Sequence, residues 1–292
     1  MKISFILHGQ RKLKRIHREF ISSCQKKPGF VCTITHTASA GHASELAKEA
    51  KGSADVIVVH GGDGLLNEVI NGLCSIPGKH PKLLILPGGT GNDFCRNFAP
   101  IDLSQPLEVF GRPGTPVTIP YLKTEGALRF FINIADIGFG SAVVASLNAY
   151  RQRFGPSASY FLAILKTFTQ YKAQELELSF NGKTQTQPFF MIALCNGAVF
   201  GNGLTIAPGK HPKSAHFQAV LLGRVSLWDY LWHLPKLIRG KRIVHPEIHY
   251  HETTSLTIRA TTGTLSGETD GELILGTSFE FELSEHIISV LN

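Results

Sequence analysis

The chain has 292 residues, 43% hydrophobic and 17% charged, with 29 Lys and Arg against 22 Asp and Glu and a formal net charge of +7. This length suits two domains, each able to bury a core, and no apolar run approaches the 18 residues of a transmembrane helix. The positive balance fits an anionic partner; with no helix-turn-helix, RRM or zinc-finger pattern, an anionic membrane surface is favoured over nucleic acid. Cys24, Cys32, Cys74, Cys95 and Cys195 are odd in number and form no C-x-x-C pair, which reads as reduced thiols in a cytoplasmic protein.

Met1 to His8 lacks the length and cleavage site of a signal peptide, and Ile3 to Leu7 reads as a first strand. Gln10 to Phe20 reads as a basic helix, with Leu13, Ile16 and Phe20 at helical spacing among Arg11, Lys12, Lys14, Arg15 and Arg18. Phe30 to Thr35 reads as a second strand, and residues 41 to 50 as a helix. Val56 to Val59 is a β-branched run of buried-strand type that enters Gly61-Gly62-Asp63-Gly64, after which Leu65, Leu66, Val69, Ile70 and Leu73 repeat at helical spacing. The alternation of strands and helices predicts a doubly wound parallel sheet.

A strand, a glycine turn and a helix outline a phosphate site, because backbone N–H groups and the helix dipole there favour an anion. Asp63 would repel phosphate unless a cation lay between, so a nucleotide phosphate with Mg2+ is the simplest reading. The plain alternative is a tight turn with no ligand. A second unit tips the balance: Lys82 to Leu86 runs into Pro87-Gly88-Gly89-Thr90-Gly91-Asn92-Asp93-Phe94. In a parallel sheet both turns emerge at carboxyl ends of strands, where α/β proteins bind ligands.

Beyond Phe94, Pro100, Pro106, Pro113, Pro116 and Pro120 break the pattern, as in a passage between domains. Val117 to Ile119, Arg129 to Ala135, Glu175 to Phe180, Phe189 to Cys195, Phe217 to Leu222 and Leu256 to Ala260 are strand-like, with a helix over Ser157 to Tyr171. These predict a mainly β second domain, a sandwich. Val225 to Val244 carries Trp228, Tyr230 and Trp232, then Lys236, Arg239, Lys241 and Arg242; this suits a membrane interface, or else a helix packed on the sandwich beside a basic turn. Gly267-Glu268-Thr269-Asp270-Gly271-Glu272 reads locally as a hairpin turn.

The two glycine motifs, in this order and spacing, resemble the catalytic domain of the diacylglycerol kinase family, which includes bacterial soluble lipid kinases and is related to sphingosine and ceramide kinases. The resemblance implies an α/β nucleotide-binding domain over residues 1–115, a β-sandwich substrate domain over 116–279, and a segment 280–292 that returns to the first. It implies an ATP- and Mg2+-dependent lipid kinase, peripherally membrane-associated, in which Thr37, Gly61, Gly62, Asp63, Gly64, Asn67, Gly88, Gly89 and Thr90 contact the nucleotide. It also implies that Glu272 accepts the hydroxyl proton, with Asp270 in the same acidic network of an interdomain cleft and Asp63 near the nucleotide-bound Mg2+. The chain departs from the pattern in four places. His8-Gly9-Gln10 replaces an Asn-Pro-x-Ser-Gly loop, Leu65 stands for a usual Thr, Gly140 for an Asp, and Ser214-Ala215-His216-Phe217-Gln218 for an Asp-Gly-x-Leu-Asp segment. The last removes the carboxylates of a structural Mg2+ site, which is expected to be lost at Ser214. A kinase for diacylglycerol, a sphingoid-base kinase and a nucleotide- or lipid-binding protein without catalysis all remain open; kinase action on a soluble substrate such as NAD fits less well.

Overall fold

The computed structural model describes all residues except 104, 106 and 152–154, so Pro106 lies outside the described residues. The chain forms two compact units, Met1–Ile119 with Glu285–Asn292, and Pro120–Ser284.

The first unit begins β1 (Lys2–Leu7), α1 (Arg15–Lys26), β2 (Val31–His36), α2 (His42–Lys51), β3 (Val56–Gly61), α3 (Asp63–Cys74) and β4 (Lys82–Pro87). Its strands run parallel in the order β2-β1-β3-β4. Ile3, Phe5, Leu7, Val56, Val58, Leu84 and Leu86 form a core with Phe20, Ile21 and Cys24 of α1. The alternate residues Ile6, Ile57 and Val59 are buried on the other face. Burial of both faces is why the central strand reads as one apolar run. One expectation shifts. The first helix begins at Arg15 rather than Gln10, because residues 8–11 close a turn in which the Arg11 N–H donates to the His8 carbonyl at 3.2 Å and the Gln10 N–H to His8 Nδ1 at 3.2 Å. Arg11, Lys12 and Lys14 therefore sit in the loop after β1.

The second unit follows with β5 (Thr115–Thr124, whose first five residues belong to the first unit), β6 (Ala127–Phe130), β7 (Ile134–Gly138), α4 (Phe139–Arg151), α5 (Pro156–Gln170), β8 (Gln174–Phe180), β9 (Lys183–Phe189) and β10 (Met191–Cys195). After them come β11 (Val199–Phe200), β12 (Leu204–Thr205), β13 (Phe217–Leu222), α6 (Leu227–Ile238), β14 (Ile248–Thr253), β15 (Ser255–Ala260), β16 (Leu265–Thr269), β17 (Glu272–Gly276) and β18 (Ser278–Leu291). A six-stranded antiparallel sheet has the order β14-β13-β10-β7-β16-β17. A second sheet pairs the first part of β18 with β15, β15 with β8 and β8 with β9; in the first unit the last residues of β18 pair with β4, Val290 opposite Leu83.

One core of the second unit gathers Phe131, Ile137, Leu194, Phe217, Ile258, Phe279 and Phe281 from the two sheets. Another lies on the helical side of the six-stranded sheet and joins Ile134, Ala193 and Val220 to Phe139, Val143 and Ile164. Strands β7 and β10 are thus buried along their whole length. The strand expected over Arg129 to Ala135 is interrupted at residues 131–133, and α4, with its Gly140 and paired valines, gave no helical signal in the sequence. Phe131 stacks on Phe217 (centroids 6.1 Å apart, 12° between planes) and meets Phe281 edge-on. Replacing Phe131 by Ala removes a fully buried ring from this contact, and denaturant unfolding is expected to show a loss of about 3–5 kcal/mol.

Candidate active site

The first unit presents its two glycine loops on neighbouring strands, since Gly61 at the end of β3 pairs with Pro87 at the end of β4. The Gly88 N–H donates to the Gly61 carbonyl at 2.8 Å. The loops then meet backbone to backbone: a Cβ built on Gly89 would lie 2.3 Å from Gly62 Cα, so neither position has room for a side chain. Asn92, at φ 50°, accepts from the Gly89 N–H at 2.8 Å and donates to the Gly89 carbonyl at 2.9 Å, which closes the second loop on itself.

Asp63 fastens the two loops together. It is the first residue of α3, where the helix dipole favours a carboxylate. Its Oδ2 accepts from the Asp93 N–H and its Oδ1 from the Phe94 N–H, each at 3.1 Å. Asp93 turns its own carboxylate the same way; a Cβ on Gly91 would lie 3.2 Å from Asp63 Oδ2 and 3.4 Å from Asp93 Oδ2. Two carboxylates converging beside a helix N-terminus are the hard oxygen donors that Mg2+ takes. Sequence reasoning chose Asp63 and passed over Asp93, although both stand in the quoted motifs. Gly64 lies in the first turn of α3, and Asn67 is buried one turn on, with Asn71 Nδ2 donating to its carbonyl. Thr90 is exposed in the second loop.

Thr37 follows β2, and its hydroxyl accepts from the Gly9 N–H at 3.2 Å. With His8, Gly9, Gln10, Leu65 and Glu68 it lines a cavity of about 240 Å3. The altered first loop, the unusual Leu65 and Thr37 are therefore brought to one place. Glu68 accepts from the Ala43 N–H at the start of α2, a position that the sequence did not single out.

In the second unit the acidic motif is a two-residue hairpin between β16 and β17, with Asp270 at φ 49° and Gly271 at φ 92°. The turn needs positive φ at both central residues. The Asp270 carboxylate accepts from the backbone N–H groups of Ile132 (2.8 Å), Asn133 (3.0 Å) and Ile134 (3.1 Å). This is what interrupts the expected strand at 131–133: the N–H groups turn to a carboxylate instead of a neighbouring strand. Asp270 is thus engaged in shaping the site. Glu272, the first residue of β17, is exposed.

Beneath this hairpin lie two carboxyl groups that the sequence reading missed. Asp136 on β7 and Glu268 on β16 face each other across the antiparallel pair, 1% and 6% exposed. Their side chains are hydrogen-bonded to each other, and burial drives both pKa values up, with the neighbouring Asp136 charge raising that of Glu268 as well. Two carboxyls this close and this dry hold a proton between them. The Gly271 N–H donates to Glu268 Oε2 and the Ser141 N–H to Asp136 Oδ1, so the pair grips the hairpin on one side and the start of α4 on the other. Gly140 explains the space: a Cβ there would lie 2.1 Å from Asp136 Oδ2. The available signal was an Asp inside the apolar run Ile134-Ala135-Asp136-Ile137.

An apolar cavity of about 100 Å3 lies on the helical side of the same sheet, lined by Phe139, Phe168 and Phe190 with Tyr230, His233 and Leu237 of α6. Helix α6 starts with a capping box of Ser226 and Asp229. It turns Trp228 and Trp232 outward, 78% and 80% exposed. Ser214 sits in a turn, donating its N–H to the His211 carbonyl at 3.0 Å, and His216 lies 3.4 Å from Glu252.

Two glycine loops on adjoining parallel strands, and an antiparallel unit that carries an acidic hairpin, define a phosphotransferase of the kinase type. Residues 2–118 match the diacylglycerol kinase catalytic domain, and residues 133–292 match the YegS C-terminal NAD kinase beta sandwich-like domain. A diacylglycerol kinase of Staphylococcus aureus is 30% identical over 254 residues, 85% of this chain and 78% of its own length; a probable YegS-like lipid kinase of Pseudomonas fluorescens is 29% identical over 71% of this chain and 67% of its own. The crystal structure of a putative diacylglycerol kinase from Bacillus anthracis superposes with a TM-score of 0.75 at 20% identity, covering 99% of this chain and 97% of that one. An NAD kinase from Archaeoglobus fulgidus, solved in complex with ATP, superposes less closely, with a TM-score of 0.56 at 13% identity over 100% of this chain and 94% of that one. The chain belongs to the diacylglycerol kinase family and is a lipid kinase. None of its described helices is long and apolar enough to cross a membrane.

The Asp136–Glu268 pair makes stability depend on pH. The folded chain holds protons that the unfolded chain releases in the ordinary carboxylate range, so the contribution is full below that range and lost as pH rises through the raised values, by about 1.4 kcal/mol per pH unit for each extra proton held. Glu268→Gln can still donate to Asp136 and accept from Gly271 without titrating. Urea unfolding from pH 5 to pH 9 is expected to show a steeper decline for the native protein than for this variant; parallel declines would rule out the shared proton.

Proposed function

We propose that the protein transfers the γ-phosphoryl group of ATP to a hydroxyl of diacylglycerol or a closely similar lipid. The observation that carries this reading is the clamp of Asp63 across the two glycine loops. It joins the two loops beside the N-terminus of α3, and that helix end with the loop backbone would receive nucleotide phosphates. Thr37 and the cavity beside it would receive another part of the nucleotide. Asp63 and Asp93 would hold Mg2+, which supplies neutralisation of phosphate charge when bound.

Glu272 is the proton acceptor in this reading. Its carboxylate stands exposed on a strand whose first turn is fastened by Asp270 and Glu268. A rigid hairpin positions the base, and phosphoryl transfer depends mainly on position and charge neutralisation. Asp270 acts in the same network by holding residues 132–134. The apolar cavity next to α6 would take part of an acyl chain. Trp228 and Trp232, one helical turn apart, with Lys236, Arg239, Lys241 and Arg242 following, would rest on an anionic bilayer.

Transfer of labelled γ-phosphate to diacylglycerol, a sphingoid base and other hydrophobic alcohols in mixed micelles tests the reaction and the substrate together. Labelled phosphatidic acid is expected, with Glu272→Gln and Asp63→Asn each slower by about 100-fold or more while thermal unfolding shows both folded. Full rates in those folded variants would remove the assigned roles, and product on the sphingoid base alone would move the substrate. Sedimentation with vesicles containing phosphatidylglycerol reads the membrane surface: changing Trp228 and Trp232 together to Ala is expected to weaken binding by about tenfold or more, since each indole contributes on the order of 1 kcal/mol or more at an interface. Undiminished binding would place the membrane contact elsewhere.

A further inference from the structure

Three potential metal ligands of the first unit lie at the ends of α3 and β4 remote from the glycine loops. Cys74 is the last residue of α3, and about 17 Å of helix separates it from Asp63. His80 precedes β4 by two residues, and His286 is on β18, a few residues before the pairing of Val290 with Leu83 of β4. The Cys74 Sγ and one ring nitrogen from each histidine all lie within 4.8 Å of one another. His80 Nε2 and His286 Nδ1 are 3.1 Å apart.

A four-coordinate zinc ion with Zn–N bonds of 2.0–2.1 Å spaces its nitrogen ligands by roughly 3.3–3.4 Å. The two imidazoles stand close to that spacing. Their rings are steeply inclined, 78° between planes, and so do not stack against each other. The His286 ring is also hydrogen-bonded to the Cys74 backbone, and with Nδ1 turned to His80 the nitrogen left to donate is Nε2. Such a bond fixes the tautomer and ring orientation of metal-binding histidines and leaves Nδ1 with its lone pair to offer. We propose that Cys74, His80 and His286 bind a divalent transition-metal ion of the zinc type, with water as the fourth ligand.

The donor set selects the ion. A thiolate with two imidazoles suits zinc and its neighbours, whereas the hard ions Mg2+ and Ca2+ take oxygen. Lys51 sharpens the dependence on the cysteine. Its ammonium donates to the carbonyls of Leu73 and Ile76, on either side of Cys74, so a dication nearby needs the negative thiolate to offset that charge. Bound there, the ion would tie the end of α3 and the approach to β4 to the C-terminal strand, and would act on the fold of the first unit rather than on the phosphate loops.

Cobalt(II) added to the chelator-stripped, full-length protein reads the site directly. One equivalent is expected to give the near-ultraviolet band of a thiolate–cobalt bond, abolished in Cys74→Ser and displaced by zinc. His80→Gln and His286→Gln are each expected to weaken binding by roughly 100-fold, and zinc is expected to raise the unfolding temperature of the native chain but not of His286→Gln. A native chain that gives no thiolate band with millimolar cobalt, with Cys74 shown reduced by thiol titration, overturns the proposal. A band that survives Cys74→Ser overturns it equally.

Discussion

Gly62 and Gly89 approach so closely that any side chain on either would part the two loops, and the Asp63 carboxylate then stitches the loops together through the N–H groups of Asp93 and Phe94. The rest of the first unit serves this contact. The parallel pairing of β3 with β4 brings both turns to one edge of the sheet, and burial of the central strand on both faces keeps that edge from shifting. A glycine-to-glycine contact has no side-chain packing to hold it, so its stability comes from the sheet beneath and the carboxylate above. The same carboxylate is the charge that makes a cation-bridged phosphate chemically sensible there.

The second unit solves a similar problem with acids. Its hairpin presents Glu272, and a two-residue turn would be loose by itself. Asp270 takes three backbone N–H groups from residues 132–134, and Glu268 takes the Gly271 N–H. Because Glu268 and Asp136 are buried together, one carboxyl must keep its proton, and the pair becomes a hydrogen-bonded strut instead of a repulsive couple. Gly140 makes the arrangement sterically feasible.

The apolar cavity and the exposed tryptophans fall on the helical side of the six-stranded sheet. Tyr230, His233 and Leu237, which close one side of the aromatic cavity, and the two outward tryptophans come from the same 12-residue helix, whose inner and outer faces do different work. Burial of His233, with Tyr230 and Leu237 half-buried against the cavity, holds the helix down, which leaves Trp228 and Trp232 free to meet another surface.

Local pattern alone decided much of this. Glycine turns after β-branched runs, the alternation of strand and helix in the first half and the Asp270-Gly271 hairpin all depend on neighbours within a few residues, so they are legible in the sequence. The family resemblance added the nucleotide contact expected of Thr37 and the role of Glu272, whereas Asp63 and the two-domain plan could be read from the residues themselves. What was illegible depends on contacts between distant segments. The strand near Arg129 breaks because Asp270, more than 130 residues on, captures its N–H groups. Helix α4 forms through Gly140 and Val143, whose local preferences oppose a helix and are overridden by packing of Phe139, Val143 and Leu147 on the sheet. The Asp136–Glu268 pair and the cluster of Cys74 with His80 and His286 exist only where folding brings remote residues together. The sequence by itself determined which turns could hold phosphate; tertiary structure decided which acids shape the site, because burial and proximity, not residue type, set the charge and geometry of a carboxyl group.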